Sequence, residues 1–298
     1  MKKIFPVVLL MSFSSIVSAW DFGIKGNLQG GSTSNVNLTS TNELSDTYKL
    51  LGGYAQIKNE EWKFKLRAKG EKYTKETVND NYSGDLSAQY KGFKDIALTV
   101  GVFKVVYNGK NLINTDTTSD NTGGRFEAIF NQKYSKDTSG YFTLYGNYKN
   151  YSKIAERKDK IFGGNYGIDH NISPKLLLNA ELILQQTSSS DSYYSNFTLG
   201  PFVELTYSPT DKWDLFVDGS YNHTTYSGRT VTTTTLRPVK VSTKDEYQNL
   251  TIIDAGIGYN FTDVFTLQGK YSKNKNVSNN STSAYKANIV SLDFSARI

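Results

Sequence analysis

Apolar and polar residues alternate one for one over segments of about ten residues, the length a tilted strand needs to cross a bilayer. The sharpest case is EWKFKLRAKGEKY (61–73), where Lys63, Lys65, Arg67 and Lys69 alternate with Trp62, Phe64, Leu66, Ala68 and Gly70. A period of two is a β-strand with two unlike faces. Fourteen such segments predict strands near 21–30, 47–58, 61–73, 82–91, 95–107, 123–134, 140–151, 160–170, 175–186, 195–207, 212–223, 248–260, 264–273 and 284–298. No long 3.6-residue period appears, and beyond residue 20 no apolar run approaches the ~18 residues of a transmembrane helix.

The connections alternate in length. Short turns are predicted at 59–61, 91–95, 135–140, 171–175, 208–212 and 261–263. Long polar loops are predicted at 31–46, 74–81, 108–122, 152–159, 187–194, 224–247 and 274–283. Short turns at one end and long loops at the other are the habit of outer-membrane barrels, and a soluble sandwich has no reason for it. The fold class expected is therefore all-β: an antiparallel up-and-down transmembrane β-barrel of about fourteen strands, with short periplasmic turns and long outer loops. Aromatic residues sit near both ends of the segments. Trp62, Tyr90, Phe93, Tyr134, Tyr141, Tyr207, Trp213, Phe261 and Phe265 lie by the turns. Tyr73, Tyr107, Tyr151, Tyr193, Tyr194, Tyr226, Tyr247, Tyr271 and Tyr285 lie by the loops. They predict two interfacial belts.

The leader fits export. Lys2 and Lys3 precede an apolar run from Ile4 to Met11, and Val17-Ser18-Ala19 is a small-residue cleavage site, so residues 1–19 read as a signal peptide and 20–298 as the barrel. A chain with no Cys and only two His, His170 and His223, has no disulfide framework or thiolate metal site, and no cofactor is implied. A net charge of +6, two units of it from Lys2 and Lys3, is too mild for a nucleic-acid partner. The expected partners are outer-membrane lipid and small hydrophilic solutes and ions.

In lipid the apolar face must point outward and the polar face toward the lumen. The row Lys63, Lys65, Arg67 and Lys69 then lines the pore, with Gln56 of the preceding strand expected opposite Lys63. In a ring of fourteen, strand 3 faces strand 10. That side carries Glu181, Glu204, Asp214, Asp218 and Asp254. A basic wall facing an acidic wall would set up a transverse field in a narrow lumen and tune which solutes pass. Pairing between neighbouring strands is the alternative for these charges.

Hairpins such as YGIDHNISPKLLLNAELIL (166–184), VELTYSPTDKWDLFVDGSYN (203–222) and IGYNFTDVFTLQGKYSKN (257–274), with the length and the turn–loop rhythm, resemble the monomeric fourteen-stranded porins related to outer membrane protein G of enteric bacteria. The resemblance covers 20–298. It implies a single-chain, weakly selective pore for ions, sugars and oligosaccharides in the outer membrane. Members can gate through a pair of lumenal His. Here His170 falls at a periplasmic turn and His223 at the other end, so that device is not expected. The C-terminal segment departs from the usual terminal aromatic and ends on Ile298, yet Val290, Leu292, Phe294, Ala296 and Ile298 keep the alternation of a last strand.

Two other functions fit the same pattern. One is a channel specific for acidic oligosaccharides, using the basic row and Tyr141 and Tyr145. The other is a surface adhesin or structural barrel with a closed pore. An enzyme is not expected: the one His near the outer rim, His223, has only Ser227, Asp245 and Glu246 as partners nearby in sequence, a sparse basis for nucleophilic or general-base chemistry.

Overall fold

The computed structural model describes residues 20–36, 38, 43–107, 120–152, 157–236 and 239–298. The expected leader, 1–19, and parts of the loops at 31–46, 108–122 and 152–159 lie outside them.

Fourteen antiparallel strands follow one another: β1 (Asp21–Thr33), β2 (Asp46–Lys58), β3 (Trp62–Tyr73), β4 (Asn81–Phe93), β5 (Ile96–Tyr107), β6 (Asn121–Lys133), β7 (Thr138–Tyr151), β8 (Lys158–Ser173), β9 (Leu176–Ser189), β10 (Asn196–Thr210), β11 (Trp213–Leu236), β12 (Val239–Asn260), β13 (Phe265–Ser278) and β14 (Tyr285–Arg297). Each pairs with its sequence neighbours, and β1 pairs with β14, so the sheet closes into a barrel with no free edge. Closure satisfies every ladder through neighbours, which is what a bilayer demands of backbone groups. At the seam Lys25 stands opposite Arg297, and Ile24 and Ile298 exchange two backbone hydrogen bonds of 2.7 and 2.8 Å.

The predicted strands are all present, most of them longer than expected. The turn register differs in one place. Gln56 stands opposite Lys65, not Lys63, and Lys58 stands opposite Lys63, because Asn59 accepts hydrogen bonds from the backbone of Glu61 and Trp62 and moves the centre of the turn one residue along the chain. The larger correction is the segment 224–247. Most of it is not loop. After a register shift between Thr225 and Thr230, the pairs Thr230–Asp245 through Leu236–Val239 carry the β11–β12 hairpin past its neighbours. The Thr-rich run VTTTTL has the β-branched side chains that favour a strand.

The faces follow the parity read from the sequence. Large apolar residues are exposed on the outside of all fourteen strands, among them Leu51 (68 % exposed), Val100, Phe162, Val217 and Leu292 (55 %). The largest apolar patch on a typical soluble monomer is about 300–600 Å². A band that circles a whole barrel needs lipid. The last strand behaves as expected, with Val290, Leu292, Phe294 and Ile298 outward.

The belts are half as predicted. At the turn end Trp62, Phe93, Tyr134, Tyr207, Trp213, Phe261 and Phe265 are exposed, with Trp62 packed on Tyr90 and Trp213 on Tyr259. At the loop end Tyr73, Tyr107, Tyr151, Tyr226 and Tyr285 fall on the lumenal parity, opposite Tyr48, Asn81, Asn121, Asn196 and Asn276 respectively. Tyr141, expected by the turns, is lumenal as well. Proximity to a strand end says nothing about face; the parity does.

Candidate functional site: the pore wall

The strand register places all nine predicted residues on the lumenal parity. Lys63, Lys65 and Arg67 line one hollow of about 290 Å³ with Arg125 and Glu127. Arg67 and Lys69 line a larger cavity, about 830 Å³, whose far wall includes Asp218, Lys270 and Asp293. Residues of β3 and β11 thus look onto the same space.

The basic row is not uniform. Arg67 lies 3.7 Å from Asp85 of β4, and Lys69 lies 3.0 Å from Glu71 of its own strand. Arg125, on β6, meets the same Asp85 at 2.8 Å. Lys63 and Lys65 have no carboxylate partner among the described residues, and the Lys65 ammonium sits 3.9 Å from the centre of the Tyr54 ring. Two of the four cations are therefore paired along the wall, and two are free to act on a solute. The alternation of Asp85 with Leu86 and Ala88 puts that carboxylate on the polar face, but nothing in the sequence shows its role. Sequence reading missed Arg125 as well, although the alternation in GGRFEAIF (123–130) assigns that residue to the lumen once Phe126 and Phe130 are set outward.

The acidic wall is partly assembled. Glu204, Asp218 and Asp254 stand directly opposite one another on β10, β11 and β12. Like charges so placed repel, and the arrangement is relieved on one side, where Lys270 of β13 reaches Asp254 at 2.7 Å. Asp218 has no cationic partner among the described residues. Asp214 is elsewhere, at the turn end, accepting hydrogen bonds from Ser208 (2.6 Å) and Asn260 (3.2 Å). Glu181 is held by Tyr141 and by Asn165. The structure brings Glu204, Asp218 and Asp254 together and leaves Asp214 and Glu181 outside the row. The two walls are also mixed: Asp85 puts acid on the basic side, and Lys270 puts base on the acidic side.

Lumenal rings lie against lumenal glycines. Tyr141 and Tyr145 of β7 cover Gly167 and Gly163 of β8, where a Cβ would come within 3.0 Å of the ring. Their hydroxyls are tied to Glu181 and Gln185 on β9. The glycines let the rings lie flat, so bulky side chains line the wall without filling the bore.

At the outer mouth two guanidinium groups share one tyrosine pair. Tyr193 and Tyr194 meet edge to face. Arg157 stacks on Tyr194 and Tyr151 and pairs with Asp159 at 2.7 Å. Arg229 stacks on Tyr193 and Tyr226 and lies 3.7 Å from Glu246. Glu246 also accepts hydrogen bonds from Ser283 (2.6 Å), Gln248 (2.9 Å) and Asn280 (3.1 Å). This chain of contacts ties four consecutive outer connections together. It draws Glu246 away from His223, which bonds Asn249 at 2.6 Å on the outward face.

The sequence matches the family described as TonB dependent receptor-like, β-barrel, over residues 11–290. The chain belongs to that family. As a TonB dependent receptor-like barrel with a lipid-facing band, it resides in the outer membrane. No curated protein matches it. Among solved structures it is similar to outer-membrane expressed OmpT of Vibrio cholerae, at 9 % identity over 94 % of this chain and 98 % of that one, with a TM-score of 0.52. It is also similar to the outer membrane channel DcaP of Acinetobacter baumannii, at 12 % identity over 95 % and 98 %, with a TM-score of 0.51. At these identities the likeness is one of fold. The fourteen-stranded outer-membrane barrel implied by the resemblance to porins related to outer membrane protein G stands, and the family whose description fits is the receptor-like one.

One expectation is corrected. The sequence reading set an enzyme aside, but the neighbours of this fold include OmpT beside a channel. A shared barrel at 9 % identity assigns no activity and removes none, so the exclusion does not stand.

Proposed function

We propose that this barrel is a porin-like channel for passive diffusion of ions and small hydrophilic solutes, sugars and oligosaccharides among them. The observation that carries the reading is the cavity bounded by Arg67 and Lys69 on one side and Asp218 and Lys270 on the other. A lumen walled by charge is stable only when filled with water, and a water-filled closed barrel conducts. The similarity in fold to the channel DcaP agrees with it. The apolar band on every strand leaves no face set aside for a second copy, which favours action as a monomer. Single-channel recording of the purified chain in a planar bilayer tests the proposal. Steady ohmic conductance supports it; silence at every voltage sinks it and favours a closed structural or adhesive barrel.

A preference for acidic oligosaccharides is favoured by one feature, the Lys63 and Lys65 ammonium groups without a described carboxylate partner, the second of them over the Tyr54 ring. Cation and ring together suit a sugar acid, the ring for its apolar face and the ammonium for its carboxylate. Block of the current by uronate oligomers, but not by neutral oligomers of the same length, is the expected result.

A further inference from the structure

The outer rim of the barrel wall is cationic on its lipid side. Lys49 of β2 stands directly opposite Lys72 of β3. Lys275 of β13 stands directly opposite Lys286 of β14, and Lys273 lies two residues along β13 on the same face, opposite Asn288. All five are exposed. Parity puts them outward, in line with the lipid-facing Leu51, Tyr271, Val290 and Leu292. Each is the first or second outward residue beyond the apolar run on the loop side. No Asp or Glu occupies an outward position of β13, β14, β1, β2 or β3, which are contiguous through the seam. None of the five lysines makes an ion pair with a described carboxylate.

Two like charges facing each other across a ladder are destabilising, and here the arrangement occurs twice, at the level where outer-leaflet headgroups meet the wall. The predicted tyrosine belt is also thin at this height, several of its members being lumenal. Lysines lying singly there could simply snorkel to water. Opposed pairs with no acid on the outward face of these strands are instead a site for a dianion that both ammonium groups can share. The apolar band immediately below supplies a surface for acyl chains.

We infer that the wall at Lys273, Lys275 and Lys286, with a second site at Lys49 and Lys72, binds the phosphate groups of a phosphorylated glycolipid in the outer leaflet. The inference is independent of whether the lumen conducts.

The test uses the full chain in neutral detergent, with binding read by native mass spectrometry and by thermal shift. Bisphosphorylated lipid A should bind and raise the melting temperature, while lipid A stripped of its phosphates should do neither. Lys273→Gln, Lys275→Gln and Lys286→Gln together should weaken binding about tenfold or more, since each basic residue near an anionic surface adds to the attraction. Lys104→Gln with Lys160→Gln, outward lysines without a cationic partner opposite, should leave it unchanged. Glutamine at exposed positions keeps the strands, so circular dichroism of each variant should match the parent. Three results would each overturn the inference: equal binding of the dephosphorylated lipid, equal protection by inorganic phosphate, or undiminished binding by the triple variant.

Discussion

Arg125 of β6 crosses the whole width of β5 to reach Asp85 of β4 at 2.8 Å. The strand between them offers Gly101, directly opposite both Arg125 and Ser87, where a Cβ would lie 3.2 Å from the guanidinium Nε. Asp85 also lies 3.7 Å from Arg67, so a single carboxylate restrains two cations and holds both against the wall. Its side chain is only 13 % exposed.

Neutralising that carboxylate should free both arginines. Asp85→Asn is expected to raise the anion preference of the pore by about threefold, equivalent to roughly one kT of lumen potential. The reversal potential in a salt gradient measures it, and a value equal to the parent's would show that Asp85 has no hold on selectivity.

The free members of the basic row should matter more than the paired ones. Lys63→Gln with Lys65→Gln is expected to move the reversal potential toward cations further than Arg67→Gln with Lys69→Gln, because Arg67 and Lys69 are held against Asp85 and Glu71 along the wall while Lys63 and Lys65 are free to meet a passing ion. Equal shifts would mean that pairing along the wall does not screen these charges.

Gly163 sets the bore beneath Tyr145. In Gly163→Val the ring has no room to lie flat and must swing into the lumen. Single-channel conductance should fall, and the barrel should lose about 1–3 kcal/mol from overpacking. Unchanged conductance with a lowered melting temperature would place the ring elsewhere than over the bore.

Glu246 gives the outer mouth a pH dependence. Burial pushes its carboxyl up, but hydrogen bonds from Ser283, Gln248 and Asn280 and the nearby Arg229 outweigh that, so it titrates below the ordinary glutamate value. A group depressed in the folded state adds stability above its unfolded pKa of about 4.3, and loses it as pH falls through the folded value. Hydrogen exchange between about pH 6 and pH 3 should show the connections near 190–195 and 279–284 loosening at the acid end, once intrinsic rates are corrected for pH, while the strands stay protected. Glu246→Gln should loosen them at both.

The β11–β12 ribbon should be dispensable for closure. Its ladder pairs from Thr230–Asp245 outward are with each other, and one hydrogen bond, from Asn279 to the Asp245 carbonyl, ties its base to the next connection, so joining 229 to 246 through a short turn is expected to leave strand content and conductance near those of the parent. Failure to fold would show that the ribbon takes part in assembly.

The barrel was legible because a bilayer enforces a strict rule: Leu178, Leu182 and Leu184 must alternate with Asn179, Glu181 and Gln185, and a one-residue slip would put charge in lipid. Parity therefore set all nine residues on the lumenal face of their strands, where the ladder register also puts them. Register was not legible. It depends on turn chemistry such as the Asn59 side chain, and a two-residue change keeps every face while changing every partner. For the same reason the Arg125–Asp85 bridge, the paired state of Lys69 and the row Glu204–Asp218–Asp254 needed coordinates. The ribbon was hidden by its composition, since Thr-rich sequence suits both a polar loop and an exposed strand.

The seam between β1 and β14 carries a consequence for biogenesis. Every other ladder joins strands adjacent in sequence and can zip as the chain emerges, but Lys25 finds Arg297 only after thirteen strands are in place. Until then both terminal strands present open edges, templates for pairing with another chain. The final strand, Tyr285–Arg297, is thus the clasp of the molecule, and its arrival separates a curved, sticky sheet from a finished ring.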